Sequence, residues 1–201
     1  QAGEIHALVG GNGSGKSTLL SIASGAIAPD AGSVDLLGKP LRQAHPAVAR
    51  RMGLAAVYQD NSLILDLTVG QNLYLAALPD DRPHFRDIDP WAWERIAESG
   101  LGSTDPRARI ADLSVAERQY VEITKALLGK PSVLLLDEPT TALGLEQTET
   151  LHRVIRQVAG RGTGVVYVSH RLREVLELAD RVSVLRDGEI RGVYPAVGLQ
   201  E

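Results

Sequence analysis

Residues 10–18 of this 201-residue chain read Gly10-Gly11-Asn12-Gly13-Ser14-Gly15-Lys16-Ser17-Thr18. The stretch fits the pattern G-x-x-x-x-G-K-[ST]; it follows an apolar run, Ile5–Val9, and opens a helical pattern at about Lys16. Glycines let backbone N–H groups approach phosphate oxygens because no Cβ stands in the way, and a helix N-terminus adds the positive end of its dipole. We therefore predict that residues 10–18, called the glycine loop below, bind phosphate.

Two side chains of the glycine loop have predicted roles of their own. Lys16 is expected to reach the β- and γ-phosphates of a nucleotide, and Ser17 to place its hydroxyl on Mg²⁺. The alternative is a glycine-rich turn between a strand and a helix that carries an incidental lysine. The strand before the loop and the helix after it favour phosphate binding.

An acidic pair follows a second apolar run. Val133–Leu136 is continuously aliphatic, as in a strand buried on both faces, and Asp137 and Glu138 come directly after it. Ligands of open parallel sheets bind outside the carboxyl ends of the strands, so Asp137 is predicted to hold Mg²⁺ and Glu138 to act as general base on water. The alternative is that Asp137 and Glu138 are only solvated acids at a strand end. The glycine loop in the same chain disfavours this alternative.

Apolar strand patterns alternate with helical ones along the chain. This alternation predicts an α/β fold with a mainly parallel sheet covered by helices. Further strands are predicted at Gly53–Tyr58 and Gly164–Val168, and a hairpin around Asp187-Gly188. From about residue 60 to 128 the pattern is helical, with a proline-rich loop at Pro79–Pro90. We expect a sheet core of residues 1–58 and 129–201, and an inserted helical subdomain of residues 59–128.

Composition excludes several classes of protein. Hydrophobic residues make up 44 % and charged residues 23 % of the chain, which is typical of a globular domain. The net charge of −4 disfavours nucleic-acid binding, and the absence of cysteine excludes disulfides and thiolate metal sites. No apolar run approaches the ~20 residues that a membrane span needs. Because Gln1 stands so close to the first strand, we expect a fragment of a longer protein that lacks N-terminal strands of the fold.

Three more motifs complete an ordered set. Gln59 follows the strand pattern at residues 53–58, and His170 follows the one at residues 164–168. Between them a helix opens with a stretch called the signature segment below, Leu113-Ser114-Val115-Ala116-Glu117-Arg118-Gln119. Taken singly, Gln59 reads as a solvated loop residue, His170 as a surface histidine and Ser114-x-x-Glu117 as a helix capping box. In this order, from Gly3 to Gly188, the sequence resembles ABC-type ATPases.

The resemblance implies a fold, ligands and roles. The fold is the P-loop ATPase core with a helical subdomain, and the ligands are ATP and Mg²⁺. Gln59 senses Mg²⁺ and couples to a permease, and His170 contacts the γ-phosphate. Ser114 belongs to a segment that closes over ATP held by a second ATPase domain.

Other stretches narrow the resemblance to ATPases of monosaccharide importers of the ribose, xylose and galactose type. They are Gly3-Glu4-Ile5-His6-Ala7-Leu8-Val9-Gly10, Arg118-Gln119-Tyr120-Val121-Glu122-Ile123-Thr124-Lys125-Ala126-Leu127 and Ser169-His170-Arg171-Leu172. This implies a first ATPase domain followed by a second on the same full-length chain, and integral-membrane permease subunits as partners. A periplasmic or lipoprotein sugar-binding protein takes part indirectly. The implied location is peripheral, at the cytoplasmic face of a bacterial membrane, with no nucleic acid bound.

The signature segment departs from the family pattern. Val115, Ala116 and Glu117 stand where two glycines and a glutamine are usual, and Gly144 stands where an aspartate is usual. The two Cβ atoms hinder close approach of the backbone to phosphate, and Glu117 brings negative charge unless it turns back to cap Ser114. We expect a weak phosphate clamp. Two other functions stay open: a soluble ABC-type ATPase acting on ribosomes or DNA, for which basic or coiled-coil extensions are missing, and a non-hydrolysing nucleotide-binding regulator, which Glu138 and His170 disfavour.

Overall fold

Six strands form the main sheet of the structure, a computed structural model that describes residues 1–41, 45–59 and 62–199. Numbered in chain order, they lie in the spatial order β4 (Leu54–Val57), β5 (Val133–Asp137), β6 (Gly164–Val168), β1 (Ile5–Val9), β7 (Arg181–Arg186) and β8 (Glu189–Pro195). The first five strands pair in parallel, and β7 and β8 pair antiparallel. The predicted α/β fold with a mainly parallel sheet is confirmed. The strand predicted at Gly53–Tyr58 is shorter by one residue at each end.

The register of three central strands brings their carboxyl ends together. Val168 of β6 pairs with Leu8 of β1 on one side and with Asp137 of β5 on the other. Because parallel strands end at the same edge of a sheet, the segments that follow them leave from neighbouring points. The glycine loop, Glu138 and the segment at His170 therefore start at one edge.

Apolar side chains on both faces hold these strands in place. Leu134, Leu135 and Leu136 of β5 are at most 3 % exposed although they point alternately to opposite faces. One cluster of buried side chains joins the sheet to α1 (Lys16–Ala23) through Leu20. Its members are Leu8, Leu20, Leu36, Ala49, Leu54, Leu135, Val168 and Leu185.

The predicted hairpin is confirmed and contacts the glycine loop. Asp187 (φ 52°) and Gly188 (φ 77°) are both left-handed, as a tight two-residue turn between antiparallel strands requires. The amide of Gly188 donates a hydrogen bond of 3.1 Å to the carbonyl oxygen of Ser14. The hairpin, which is distant in sequence from the glycine loop, thus helps to fix the conformation of the loop.

Sequence patterns did not predict a second, two-stranded sheet or the helix that follows it. The sheet consists of β2 (Asp35–Leu36) and β3 (Lys39–Pro40), and the helix is α2 (Pro46–Arg51). Strands of two residues are too short to show alternation of apolar and polar side chains. Their turn carries left-handed Leu37 and Gly38, with φ of 53° and 73°.

The chain divides into two compact units. The sheet unit comprises Gln1–Tyr58, Pro131–Pro139 and Arg156–Glu201, and the helical unit comprises Gln59–Lys130 and Thr140–Ile155. Helix α6 (Leu145–Gly160) contributes residues to both units, and α7 (Leu172–Leu178) lies in the sheet unit. The functional boundaries expected after residues 58 and 128 stay a prediction.

Three helices build the helical unit: α3 (Val69–Ala76), α4 (Ile88–Ser99) and α5 (Val115–Leu127). Their shared core contains Leu63, Val69, Leu73, Ala92, Ile96, Ile110, Leu113 and Val121. The proline-rich loop predicted to end at Pro90 ends earlier, since Pro90 lies in the first turn of α4, where a missing N–H leaves no helical bond unmade. Throughout the described ranges, no helix combines the length and apolar character needed to cross a bilayer.

Packing against the hairpin predicts that Gly10 tolerates no side chain. A Cβ on Gly10 would lie 2.3 Å from the carbonyl oxygen of Leu185 and 2.6 Å from Ser14 Oγ, whereas a Cβ on Gly11 would meet nothing within 4 Å. We expect Gly10→Ala to lower the free energy of unfolding by about 2 kcal/mol. Gly11→Ala, the matched control, should change it by less than about 0.5 kcal/mol. Urea unfolding of the full-length protein measures both values, and equal stabilities would contradict the described packing.

Candidate functional site

The glycine loop presents main-chain amides at the start of α1. Gly13 (φ 78°) and Gly15 (φ 100°) adopt left-handed conformations that a residue with a Cβ rarely takes. Gly15 is also the N-cap of α1, and no side chain caps the helix there. The first amides of α1 are therefore available to an anion, which the helix dipole favours.

Lys16 turns its ammonium back into the glycine loop. The side chain is 7 % exposed, and Nζ donates hydrogen bonds of 2.9 and 3.0 Å to the carbonyl oxygens of Gly10 and Gly11. A buried ammonium needs partners because desolvation of its charge is costly. The two carbonyls supply them and hold a positive charge inside the loop.

Ser14 carries an unsatisfied polar atom in the same loop. Its Oγ is buried, and among residues 1–41, 45–59 and 62–199 it has no hydrogen-bond partner. Buried hydroxyls nearly always have a partner in folded proteins. An orphaned hydroxyl in a ring of amides and one ammonium suits an anionic ligand with several oxygen acceptors.

Ser17 and Asp137, two of the predicted metal ligands, are brought together. Asp137 is 5 % exposed and accepts a hydrogen bond from the Ser17 side chain. Burial raises the pKa of Asp137 above its ordinary value and neighbouring Glu138 adds to the rise, while the Ser17 hydrogen bond and the Lys16 charge oppose it. A cation beside Asp137 would relieve the cost of burying its carboxylate.

Glu138 and His170, predicted from separate motifs, also meet. Nδ1 of His170 lies 3.0 Å from Oε1 of Glu138, and their side chains are 52 % and 15 % exposed. Glu138 has a left-handed backbone (φ 47°), and its amide donates to the carbonyl oxygen of Val168 at 2.9 Å. A carboxylate and an imidazole thus stand beside the Ser17–Asp137 pair.

Other predicted residues are less constrained. Gly11, Asn12 and Thr18 are exposed at the loop surface. Gln59 is exposed, follows β4 and belongs to the helical unit, and residues 60–61 after it lie outside the described ranges. Its predicted roles in metal sensing and coupling stay predictions.

The signature segment, in the helical unit, forms the capping box that its sequence allows. Ser114 Oγ donates to Glu117 Oε2 at 2.6 Å, and the Ser114 amide donates to the same oxygen at 2.8 Å. The Glu117 amide in turn donates to Ser114 Oγ at 3.3 Å. These hydrogen bonds to Ser114 lower the pKa of Glu117. The carboxylate therefore turns back onto Ser114, and the serine hydroxyl is occupied by it.

A second cap was missed by sequence reasoning. The amide of Gly144 donates to Gln147 Oε1 at 2.7 Å, and the carbonyl oxygen of Gly144 accepts from the Thr148 amide at 2.9 Å. Gln147 thus makes one of the two hydrogen bonds of a capping box at the start of α6. The second cannot form, because Gly144 has no side chain to accept it. The spacing Gly144-x-x-Gln147 was the available signal.

The donor set suits a hard cation only in company with a ligand. Ser17 and Asp137 offer a hydroxyl and a carboxylate oxygen, which Mg²⁺ prefers. In the part of the chain that the structure describes, no group of three or more His, Cys, Asp or Glu side chains could hold a metal by itself. Oxygens of a bound molecule would have to complete such a site.

The sequence also matches a known protein family. The sequence profile of ABC transporters matches residues 1–141, which include the glycine loop, the signature segment and the acidic pair. The chain belongs to the ABC transporter family. The matched region ends before His170 and does not include it.

Curated ABC relatives resemble nearly the whole chain. The ribose import ATP-binding protein RbsA 1 of Rubrobacter xylanophilus is 46 % identical over 194 residues, which are 94 % of this chain and 38 % of the relative. The arabinose import ATP-binding protein AraG 1 of Burkholderia cenocepacia is 42 % identical over 189 residues, 93 % of this chain and 37 % of the relative. The chain therefore spans about two fifths of the length of these relatives.

Solved ABC structures share the fold. A dimeric ATP-binding cassette in a post-hydrolysis state, bound to ADP and Pi, matches with a TM-score of 0.85 and 25 % identity, over 99 % of this chain and 88 % of that one. A nucleotide-free cassette from an ABC transporter matches with a TM-score of 0.83 and 23 % identity, over 97 % and 81 % of the two chains. The chain has the fold of an ABC ATPase cassette.

The capping box predicts a local contribution to stability. Ser114→Ala removes the acceptor of the Glu117 amide and should lower the free energy of unfolding by about 1 kcal/mol. Val115→Ala is the control, because Val115 is 57 % exposed and makes no cap, and its effect should stay within about 0.5 kcal/mol. Denaturant unfolding of the full-length protein compares them.

The lowered pKa of Glu117 fixes the sign of the pH dependence. Stabilisation by the ionised cap is complete above the ordinary glutamate pKa and is lost as pH falls through the lowered value. Wild type should therefore exceed Glu117→Gln in stability at pH 7, and the difference should vanish in acid. A difference that grows toward low pH would contradict the described cap.

Proposed function

We propose that this chain is the ATP-binding and ATP-hydrolysing domain of an ABC importer whose transported substrate is a sugar. One observation carries the proposal: Lys16, the Ser17–Asp137 pair and the Glu138–His170 pair stand at one edge of the sheet. The relatives that are named for ribose and arabinose import support the choice of substrate class. Which sugar is transported would be decided by other subunits.

Nucleotide binding follows from the glycine loop. Lys16 would exchange the carbonyl oxygens of Gly10 and Gly11 for β- and γ-phosphate oxygens, keeping its charge paired throughout. The uncapped amides at the start of α1 and the orphaned Ser14 hydroxyl donate to the remaining oxygens. Each group gains an acceptor that it lacks or exchanges one that it has.

Hydrolysis needs a base, and Glu138 supplies it. Its carboxylate accepts a proton from water as the water oxygen bonds to the γ-phosphorus, and the bond from that phosphorus to the β–γ bridging oxygen breaks. ADP and phosphate are the products. His170 holds the Glu138 carboxylate at 3.0 Å and is exposed enough to reach the γ-phosphate.

Ser17 and Asp137 would hold Mg²⁺. Bound with the nucleotide, the ion would neutralise negative charge on the phosphates. The protein's own contribution is the hydrogen bond that fixes Ser17 against Asp137. Burial makes the charged carboxylate of Asp137 costly, and this cost both raises its pKa and favours a cation beside it.

The proposed assembly has further components. Integral-membrane permease subunits would hold this domain at the cytoplasmic face of a bacterial membrane. A second ABC ATPase domain, on the same full-length chain, would complete the two ATP sites, and a periplasmic or lipoprotein sugar-binding protein would act indirectly. The length of the relatives, about two and a half times that of the matched region, leaves room for a second domain.

The two ATP sites of such a pair would be unequal. The site on this chain's glycine loop has Lys16, Asp137, Glu138 and His170. The opposite site would use this chain's signature segment, in which the Ser114 hydroxyl donates to Glu117 instead of to a phosphate oxygen. This occupied hydroxyl, and the Cβ atoms of Val115 and Ala116 where glycines are usual, would make the opposite site weak or silent.

Glu138→Gln tests the base. The amide keeps the shape of the side chain but accepts no proton, so kcat should fall by about 10²–10⁴-fold while ATP binding persists. Glu149→Gln, an exposed change on α6, is the control and should leave turnover unchanged. Steady-state turnover and nucleotide binding are measured in the assembled transporter. Full turnover in Glu138→Gln would refute the proposed hydrolysis and favour a non-hydrolysing regulator.

Lys16→Ala and a repaired signature segment test the inequality of the sites. Lys16→Ala should weaken ATP binding at its own site by about tenfold or more, since a charged hydrogen-bond donor is lost, and should stop transport. Glycine at positions 115 and 116 with Glu117→Gln should strengthen nucleotide trapping at the opposite site. Transport that survives Lys16→Ala, but stops when the opposite phosphate loop is disabled, would reverse the assignment.

A further inference from the structure

Three residues around the His170 turn form a chain of hydrogen bonds. Arg171 Nη1 donates to Glu174 Oε1 at 2.8 Å, and the Tyr167 hydroxyl donates to Glu174 Oε2 at 3.2 Å. Tyr167 is fully buried in β6, and the Glu174 side chain is only 16 % exposed. Both carboxylate oxygens of Glu174 therefore have a fixed partner, one of them anchored in the core.

Arg171 interacts with two carboxylates. It is the residue next to His170, and besides its hydrogen bond with Glu174 it is attracted electrostatically by Glu138. Both interactions raise its pKa, and the bond with Glu174 is the largest cause. Glu138 is meanwhile in contact with His170 at 3.0 Å.

Arg171 and His170 are unequal competitors for Glu138. A guanidinium is always charged and can bind a carboxylate through two parallel hydrogen bonds, whereas an imidazole offers one and is charged only when protonated. Without Glu174, the guanidinium of Arg171 would still be attracted by the carboxylate of Glu138. An arginine bound there would displace His170 and tie up the oxygens that water needs.

We propose that Glu174, anchored by Tyr167, retains Arg171 and so leaves Glu138 paired with His170. The inference rests on the proposed function, in which Glu138 is the base. Glu174 and Tyr167 are positioning residues in this scheme, since neither touches the reacting atoms. Arg171 itself is dispensable, and only an unretained Arg171 is harmful.

The same helix carries a matched control. Arg173 Nε and Glu177 Oε1 of α7 lie 3.1 Å apart, with side chains 84 % and 56 % exposed. This pair repeats the chemistry of Arg171 and Glu174 on the solvent side of the helix. Its loss removes an exposed ion pair, which contributes little to stability.

The test compares five variants of the full-length protein assembled with its membrane partner. They are Glu174→Gln, Arg171→Met, the double variant Arg171→Met/Glu174→Gln, Tyr167→Phe and Glu177→Gln. Glutamine at 174 keeps an acceptor for Tyr167 and removes the charge that retains Arg171. Methionine at 171 keeps the aliphatic stem and removes the guanidinium. Steady-state hydrolysis gives kcat and the KM for ATP, and thermal unfolding reports folding.

Glu174→Gln should lower kcat roughly tenfold, part of what a positioned base contributes, with KM changed less than about twofold. Arg171→Met should retain nearly full kcat, and the double variant should return to the Arg171→Met value. Tyr167→Phe should lower kcat less than Glu174→Gln does, and Glu177→Gln should match wild type. Recovery in the double variant is the decisive result, because a purely structural role of Glu174 would not be relieved by removing Arg171.

Several results would overturn the inference. They are full kcat in Glu174→Gln, equal losses in Glu174→Gln and the double variant, or a loss in Arg171→Met as large as in Glu174→Gln. If Glu174→Gln does not fold, Tyr167→Phe with and without Arg171→Met decides by the same recovery. Glu138→Gln distinguishes failure of this inference from failure of the proposed function. If Glu138→Gln abolishes turnover and Glu174→Gln leaves kcat unchanged, the inference fails and the proposed function stands. Full turnover in Glu138→Gln removes both.

Discussion

The register of β5, β6 and β1 is the constraint on which the site depends. Val168 pairs with Asp137 on one side and Leu8 on the other, so three segments distant in sequence leave the sheet at neighbouring points. A slip by one residue would move each side chain to the opposite packed face of the sheet and displace Asp137 from its pairing with Val168. Burial of the strands on both faces opposes such a slip. The stability of the core and the geometry of the site therefore have the same cause.

Backbone conformation adds a second constraint at the same edge. Glu138 is left-handed although it has a Cβ, which costs of order 1 kcal/mol or more. The hydrogen bond from the Glu138 amide to the carbonyl oxygen of Val168 holds the backbone there, and the Glu138 side chain contacts His170 as a result. The glycine loop is held similarly, by Gly188 of the hairpin on Ser14. Strain in one segment is thus supported by hydrogen bonds from a neighbouring one.

Local patterns predicted the parts of this molecule that depend on local physics. Buried parallel strands, the hairpin turn and the glycine loop each carry a short sequence pattern, from which roles for Lys16, Asp137 and Glu138 were predicted. His170 was singled out only by the resemblance to ABC-type ATPases. The two-residue strands escaped prediction because they are shorter than one period of alternation, and Pro90 because a proline fits a first helical turn as well as a loop. The contacts Ser17–Asp137 and Glu138–His170 depend on which strands become neighbours. Only the folded sheet supplies that information.

Lys16 has a consequence beyond the chemistry of the site. Its ammonium already has two carbonyl partners in the loop, so an incoming anion must offer it more than those dipoles do. A small, singly charged anion offers few oxygens beyond the two acceptors that the loop already provides. A chain of phosphates carries several charges and many oxygens. The carbonyl partners of Lys16 therefore favour a ligand of high charge over a monovalent anion.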